Sequence, residues 1–182
     1  MNTSDQHIIE GCKKGDRKAQ NQLYQNYKSM LLGVCLRYGS NFQEAEDFLQ
    51  EGFVKIYEDL YQYRPTGALG AWMRKVMVNV CLMHLKKQKQ FFSTIEMDYI
   101  TENHEAHDDS FESYRAEALI QMIQKLPEGY RAVFNLYVID GYTHKEIAGI
   151  LNISDVTSRS QFSRAKKMLR NMLENKLVNR DL

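Results

Sequence analysis

Turn formers are scarce: two prolines and ten glycines in 182 residues cannot punctuate a succession of short strands, so long helices are the expected elements. Cysteine is scarce as well. Cys12, Cys35 and Cys81 are isolated, odd in number and outside any CxxC pair, which argues against a disulfide framework and a zinc knuckle and predicts reduced thiols in a core. No apolar run reaches about 18 residues, so no segment is expected to enter a membrane. The polar start Met1-Asn2-Thr3-Ser4-Asp5 has no basic-then-apolar export signal, and a cytoplasmic location is expected. There is no Gly-rich phosphate loop and no nucleophile motif. His7, His84, His104, His107 and His144 are scattered; His104 and His107 are close together but sit in an acidic stretch without a further ligand set. No catalytic residue, metal or cofactor is expected, and the chain does not read as an enzyme.

What is present is ordinary in bulk and unusual in distribution. Hydrophobic residues at 43% and charged residues at 26% are enough to give each of two small units a core. The net charge of +1 hides a pattern. Residues 1–90 carry 13 Lys/Arg against 9 Asp/Glu, and residues 113–182 carry 11 against 7. Between them, residues 91–112 have no Lys or Arg and seven acids: Glu96, Asp98, Glu102, Glu105, Asp108, Asp109 and Glu112. Two mildly basic blocks therefore flank an acidic connector. The expected fold is all-α, with small helical domains over 1–90 and 114–182 joined by an acidic linker over 91–113, which is either a solvated tether or a docking segment.

Periodicity places helices over 5–14, 17–38, 43–61 and 68–89 in the first block, with Asp16 as an N-cap and residues 39–41 and 62–67 as breaks. In the fourth helix Leu69, Trp72, Met73, Val76, Val80 and Met83 are the expected core stripe. Helices over 113–125 and 127–139 open the second block, with Pro127 suited to a first helical turn.

Near the C-terminus the pattern sharpens. Thr143-His144-Lys145-Glu146 is a capping box that opens a short helix to Leu151, and Asn152-Ile153-Ser154 is a short turn. Ser154 and Asp155 suit the start of a second helix. Ser158, Phe162, Ala165, Leu169 and Met172 fall on one side of it. Val156, Ser160, Ser163, Arg164 and Lys167 lie opposite, with Arg159 beside them. Two helices joined by a short turn make a helix-turn-helix. Small polar residues with cations suit a helix that enters the major groove, where Arg bonds guanine edges or phosphate. Lys166, Lys167 and Arg170 would add phosphate contacts. Taken alone, the same face also fits an ordinary solvated basic surface.

The first block carries two further faces. Asp47, Gln50, Glu51 and Val54 are spaced i, i+3, i+4, i+7, an acidic and amidic surface that suits a protein partner rather than DNA. On the fourth helix, Lys75, Asn79 and Lys86 line an edge, with Trp72 near its start, Tyr57, Tyr61 and Tyr63 before it and Arg64 in the loop. Cations for phosphate, aromatics for unstacked bases and an amide for a base edge suit single-stranded DNA. Trp72 also fits the core stripe, and both readings stand at this point.

Together these residues resemble the extracytoplasmic-function sigma factors of the sigma-70 family. The run Glu44-Ala45-Glu46-Asp47-Phe48-Leu49-Gln50-Glu51-Gly52-Phe53 is similar to that family's region 2.2. Leu69-Gly70-Ala71-Trp72-Met73-Arg74-Lys75, followed by Asn79, is similar to regions 2.3 and 2.4. Leu126-Pro127-Glu128 with Arg131 and Phe134, then Gly141-Tyr142-Thr143-His144-Lys145-Glu146-Ile147-Ala148, is similar to region 4. The resemblance implies a factor that binds core RNA polymerase and directs promoter-specific initiation, including promoter opening. It assigns Asp47, Gln50, Glu51 and Val54 to the clamp helices of the polymerase's largest subunit. It assigns Tyr61, Tyr63, Arg64, Trp72, Lys75, Asn79 and Lys86 to the minus-ten element, with the loop over 61–67 capturing a flipped base. Arg159, Ser160, Ser163, Arg164, Lys166 and Lys167 fall to the minus-thirty-five element. The acidic linker resembles a segment threaded toward the RNA exit channel. Promoter DNA, both duplex and single-stranded, and an anti-sigma factor are the further implied partners.

The chain departs from the family pattern at Val78 and Gln161, where basic residues are common, and at Ser158, where Val is common. Two rivals frame the reading. A conventional helix-turn-helix regulator would bind duplex without polymerase, and the acidic face over 47–51 argues against it. An interaction module that mimics a sigma factor would not touch DNA, and the basic face over 159–167 argues against that.

Overall fold

The computed structural model describes residues 3–64, 67–92 and 111–178. Most of the acidic linker, residues 93–110 with His104 and His107, lies outside the described residues, as do Pro65 and Thr66 of the expected base-capture loop. Every regular element among the described residues is helical, and the chain divides into two compact units, Met1–His84 and Leu85–Leu182.

In the first unit, α1 (Thr3–Lys13), α2 (Arg17–Tyr38), α3 (Phe42–Asp59) and α4 (Leu69–Phe92) follow one another, with a 3-10 turn at Leu60–Gln62 after α3. Polar side chains set the boundaries. Asp16 caps α2 by accepting from the Lys18 N–H at 2.8 Å, and Gly15 turns the chain before it at φ 75°. Asn41 caps α3 by accepting from the Glu44 N–H at 2.9 Å, while the Glu44 carboxylate reaches back to the Ser40 N–H and hydroxyl. The core is built from Leu23, Leu31, Val34, Cys35 and Tyr38 of α2, Ala45, Phe48, Phe53 and Ile56 of α3, and Met73, Met77 and Cys81 of α4. Gly52 makes room for α4 against α3: a Cβ there would collide with Sδ and Cε of the buried Met77.

The second unit holds α5 (Phe111–Gln124), α6 (Glu128–Phe134), a π-helical turn at Asn135–Ile139, α7 (His144–Leu151) and α8 (Asp155–Val178). Met122, Ile123 and Leu126 of α5 pack with Ala165 and Leu169 of α8, and Tyr130, Phe134, Met168 and Met172 close over them. Pro127 stands at the N-cap of α6, one residue outside the helix. The expected helix over 127–139 keeps its length but changes pitch: the Asp140 N–H bonds the Asn135 carbonyl at 3.0 Å, a five-residue step. Arg131 is almost wholly buried, with Nη1 donating to the Gln124 carbonyl at 2.8 Å, and so ties α6 to the end of α5.

All three cysteines are buried and free of disulfides, as expected of reduced core thiols. Burial, together with Cys35 beside it, pushes the Cys81 thiol well above its ordinary range. Among the described residues no helix is long and apolar enough to cross a membrane.

Candidate nucleic-acid and partner interfaces

The helix-turn-helix is built from its caps inward. Thr143 Oγ1 accepts from the Glu146 N–H at 3.3 Å, and the Glu146 carboxylate accepts from the Thr143 N–H and hydroxyl at 2.8 and 2.7 Å. Those bonds hold the Glu146 carboxyl below its ordinary value. Asn152 ends α7 in the left-handed region, at φ 54°. Ser154 Oγ then accepts from the Thr157 N–H at 2.9 Å and opens α8.

Ser158, Ala165 and Leu169 of α8 are buried as their spacing predicts, and Phe162 and Met172 are half-buried on the same side. Sequence reasoning missed a pair at the heart of this packing. His144, first residue of α7, is buried, and its Nδ1 shares a hydrogen bond of 2.9 Å with Ser158 Oγ. Its ring stacks on Tyr137, with centroids 4.3 Å apart and planes at 12°, and Phe162 tilts against both rings. The available signal was two polar residues on the inward faces of successive helices, which need each other once buried.

On the outer face Val156, Arg159, Ser160, Ser163, Arg164, Lys166 and Lys167 are all exposed. The structure gives them different starting states. Arg159 is held on Asp155, Nε to Oδ2 at 2.7 Å, which raises its already high pKa. Arg164 Nη1 donates to the Tyr130 hydroxyl at 3.2 Å. Lys166 lies over the Phe162 ring, 4.7 Å from its centroid, on the flank of the helix. The Ser160 hydroxyl donates to the Thr157 carbonyl at 2.9 Å and can still accept.

On α3 the side chains of Asp47, Gln50, Glu51 and Val54 are exposed along one face, opposite the buried Ala45, Phe48, Phe53 and Ile56. Val54, 57% exposed, is the apolar member of this face. Glu51 is bonded to Nε2 of His84 on α4, whose ring lies 4.9 Å from Phe48, so one carboxylate of the face is fixed in place.

Around α4 the expectation needs correction at three points. Tyr63 is buried, its ring 5.1 Å from Trp72 and its hydroxyl donating to the Gly67 carbonyl at 2.8 Å; it braces Trp72 and the loop instead of offering a ring face. Tyr57 is half-buried, packed beside Phe53 with its hydroxyl on the Gln20 carbonyl at 2.9 Å. Met83 is exposed, although it was placed on the core stripe. The buried arc of α4 is wider and centred elsewhere: Leu69, Met73, Met77, Val78, Val80, Cys81, Leu82 and Leu85 all face inward. The burial of Val78 explains why this chain can lack a basic residue there. Lys75, Asn79 and Lys86 are exposed, Trp72 is half-buried, and Tyr61 is exposed with its hydroxyl on the Lys13 carbonyl. Arg64 is exposed at the edge of the loop.

Among the described residues no group of His, Cys, Asp and Glu could hold a metal ion.

Comparison with known proteins matches residues 23–91 to Sigma-70 region 2 and residues 116–169 to Sigma-70, region 4. The chain is similar to the RNA polymerase sigma-H factor of Pseudomonas aeruginosa, 28% identical over 93% of this chain and 94% of that one. It is also similar to the ECF RNA polymerase sigma-E factor of Escherichia coli K12, 29% identical over 94% and 95%. Among solved structures, the sigma factor RpoE of Bartonella quintana, in complex with the anti-sigma factor NepR, superposes with a TM-score of 0.50 at 18% identity, covering 85% of this chain and 96% of that one.

Proposed function

The chain belongs to the sigma-70 family, in its extracytoplasmic-function group, and directs promoter-specific initiation by RNA polymerase; from that premise we propose how its faces divide the work. Residues 1–90 bind core polymerase and the minus-ten element, residues 91–113 link, and residues 114–182 bind the minus-thirty-five element. Asp47, Gln50, Glu51 and Val54 form the polymerase-binding face, on the clamp helices of the largest subunit. Arg159, Ser160, Ser163 and Arg164 read the upstream duplex, and Lys166 and Lys167 hold its phosphates. Trp72, Lys75, Asn79 and Lys86, with Tyr61 and Arg64 at the loop, receive the non-template strand. Tyr63 acts from beneath, through Trp72.

Promoter opening follows from differential binding. Unstacking a base costs a few kcal/mol, and a surface that binds the unstacked strand but not the duplex recovers that cost only where the duplex has opened. The chain positions strands and supplies no bond chemistry. It acts where the polymerase is, in the cytoplasm. An antagonist of the kind seen with the Bartonella quintana protein is the proposed regulator.

The observation that carries this reading is the order of the two family regions on one chain, each bearing an exposed cationic face on a helix whose opposite side is buried. The test is binding of the labelled full chain to purified core polymerase. Asp47→Arg is expected to weaken it at least tenfold while leaving the helical circular dichroism intact. Undiminished binding of that variant would remove the α3 face from the proposal.

A further inference from the structure

Along α4, Leu69–Phe92, there is no Asp or Glu, while Arg74, Lys75, Lys86, Lys87 and Lys89 are basic. At 100° per residue, Trp72, Lys75, Asn79, Met83 and Lys86 fall within an arc of about 80°. That arc is the open side of a helix buried over most of its remaining circumference. Met83 is 53% exposed beside a polar and cationic stripe. A thioether so exposed is unusual beside cations and an amide, and an acid-free stripe fits a polyanion better than a protein or a second copy of this chain.

We propose that Met83 is a specificity-determining DNA contact: its side chain packs against an unstacked base of the non-template strand, eleven residues along the strand-binding stripe from Trp72. The proposal rests on the single-strand reading of α4 given above. Eleven residues separate Trp72 from Met83, a rise of about 16 Å. A strand with unstacked bases is longer per nucleotide than the roughly 3.4 Å of stacked duplex, so that span covers fewer than about five nucleotides. Lys75 is placed to meet a phosphate within it and Lys86 one just beyond Met83, and Asn79 lies between to bond a base edge. Apolar side chains such as Met are used in this way against unstacked base steps, and a polarizable thioether packs favourably against an aromatic ring. Met83 therefore contributes affinity for the opened strand and favours the base that packs best.

The experiment uses holoenzyme, core polymerase with the full chain, and a fluorescent fork-junction DNA whose non-template strand is single-stranded through the minus-ten element of a promoter from which this chain initiates. Met83→Ala is expected to weaken fork binding about fivefold, as loss of an apolar contact would. Met83→Gln, of similar length, should weaken it equally, and Met83→Leu should restore it. Binding to core polymerase and to a duplex minus-thirty-five probe should not change, and base substitutions at one fork position should lose their effect in Met83→Ala. Wild-type fork binding by Met83→Ala, alongside weakened binding by Lys75→Ala and Asn79→Ala, overturns the role of Met83 and leaves the strand reading standing. Unaffected binding by all three variants overturns both. Weakened core binding by Met83→Ala also overturns the proposal, since the residue would then face a protein.

Discussion

His144 Nδ1 stands 2.9 Å from Ser158 Oγ, and this bond joins the first residue of α7 to α8 inside the helix-turn-helix. Both residues are buried, so each depends on the other for its hydrogen bond. Ser158 sits immediately before Arg159, and the bond therefore fixes the rotation at which α8 presents its basic face. Ser158→Ala strands a ring nitrogen and is expected to destabilise the chain by about 1–3 kcal/mol. Adding His144→Phe, which keeps the stack on Tyr137, should recover part of that loss. Urea unfolding of the two single variants and the double variant gives the coupling directly. Additive losses would show that the bond does not carry stability.

Gly52 admits Met77 where α3 crosses α4, and a methyl group there must move a side chain that is itself fully buried. Gly52→Ala is expected to cost about 1–3 kcal/mol by overpacking. Adding Met77→Ala should relieve the collision. Thermal unfolding of both variants checks this.

Tyr57 supplies a pH dependence. Burial beside Cys12 and Tyr24 pushes its phenol from the ordinary 10.0 up to about 12. A phenol whose pKa is raised by folding favours the folded state while it stays neutral. That contribution is complete below the unfolded pKa, near 10, and is lost as pH rises through the folded value, near 12. The full chain should therefore lose stability between about pH 10 and about pH 12 more steeply than Tyr57→Phe does. Tyrosine absorbance titrated in parallel should show one phenol fewer ionising late in the variant. Equal losses in the two proteins would contradict the assignment.

The fold was legible from the sequence because capping residues and apolar spacing are local signals. Asp16, Thr143 with Glu146, and the Ser158, Ala165, Leu169 stripe all stand where their spacing put them. What failed depended on tertiary placement. α4 is apolar on nearly every side, so its period alone could not say which side faces the core, and Met83 was assigned inward. Tyr63, in the expected loop, and Tyr57, near the end of the third helix, carry hydroxyls that the sequence reading takes as exposed, yet each finds a carbonyl partner in the fold. The role of His144 inside the fold is not legible in the sequence, because its partner Ser158 is 14 residues away.

The α8 face makes a prediction about salt. If Lys166 and Lys167 meet phosphates, Lys166→Ala and Lys167→Ala should each lower the slope of log affinity against log salt by about 1 for a duplex minus-thirty-five probe. Arg159→Ala should instead relax base preference, because its guanidinium, once exchanged from Asp155, can fork onto a base edge. Filter binding across a salt series, with single-base variants of the probe, separates the two roles. A reversed pattern would swap the reading and anchoring residues.

The central claim is tested most directly by transcription in vitro from genomic fragments, with purified core polymerase and this chain. Discrete start sites are expected, absent without the chain, abolished by Asp47→Arg and weakened by Arg159→Ala or Arg164→Ala. Failure to initiate, with the chain alone protecting a duplex site from cleavage, would contradict the account and mark a conventional helix-turn-helix regulator.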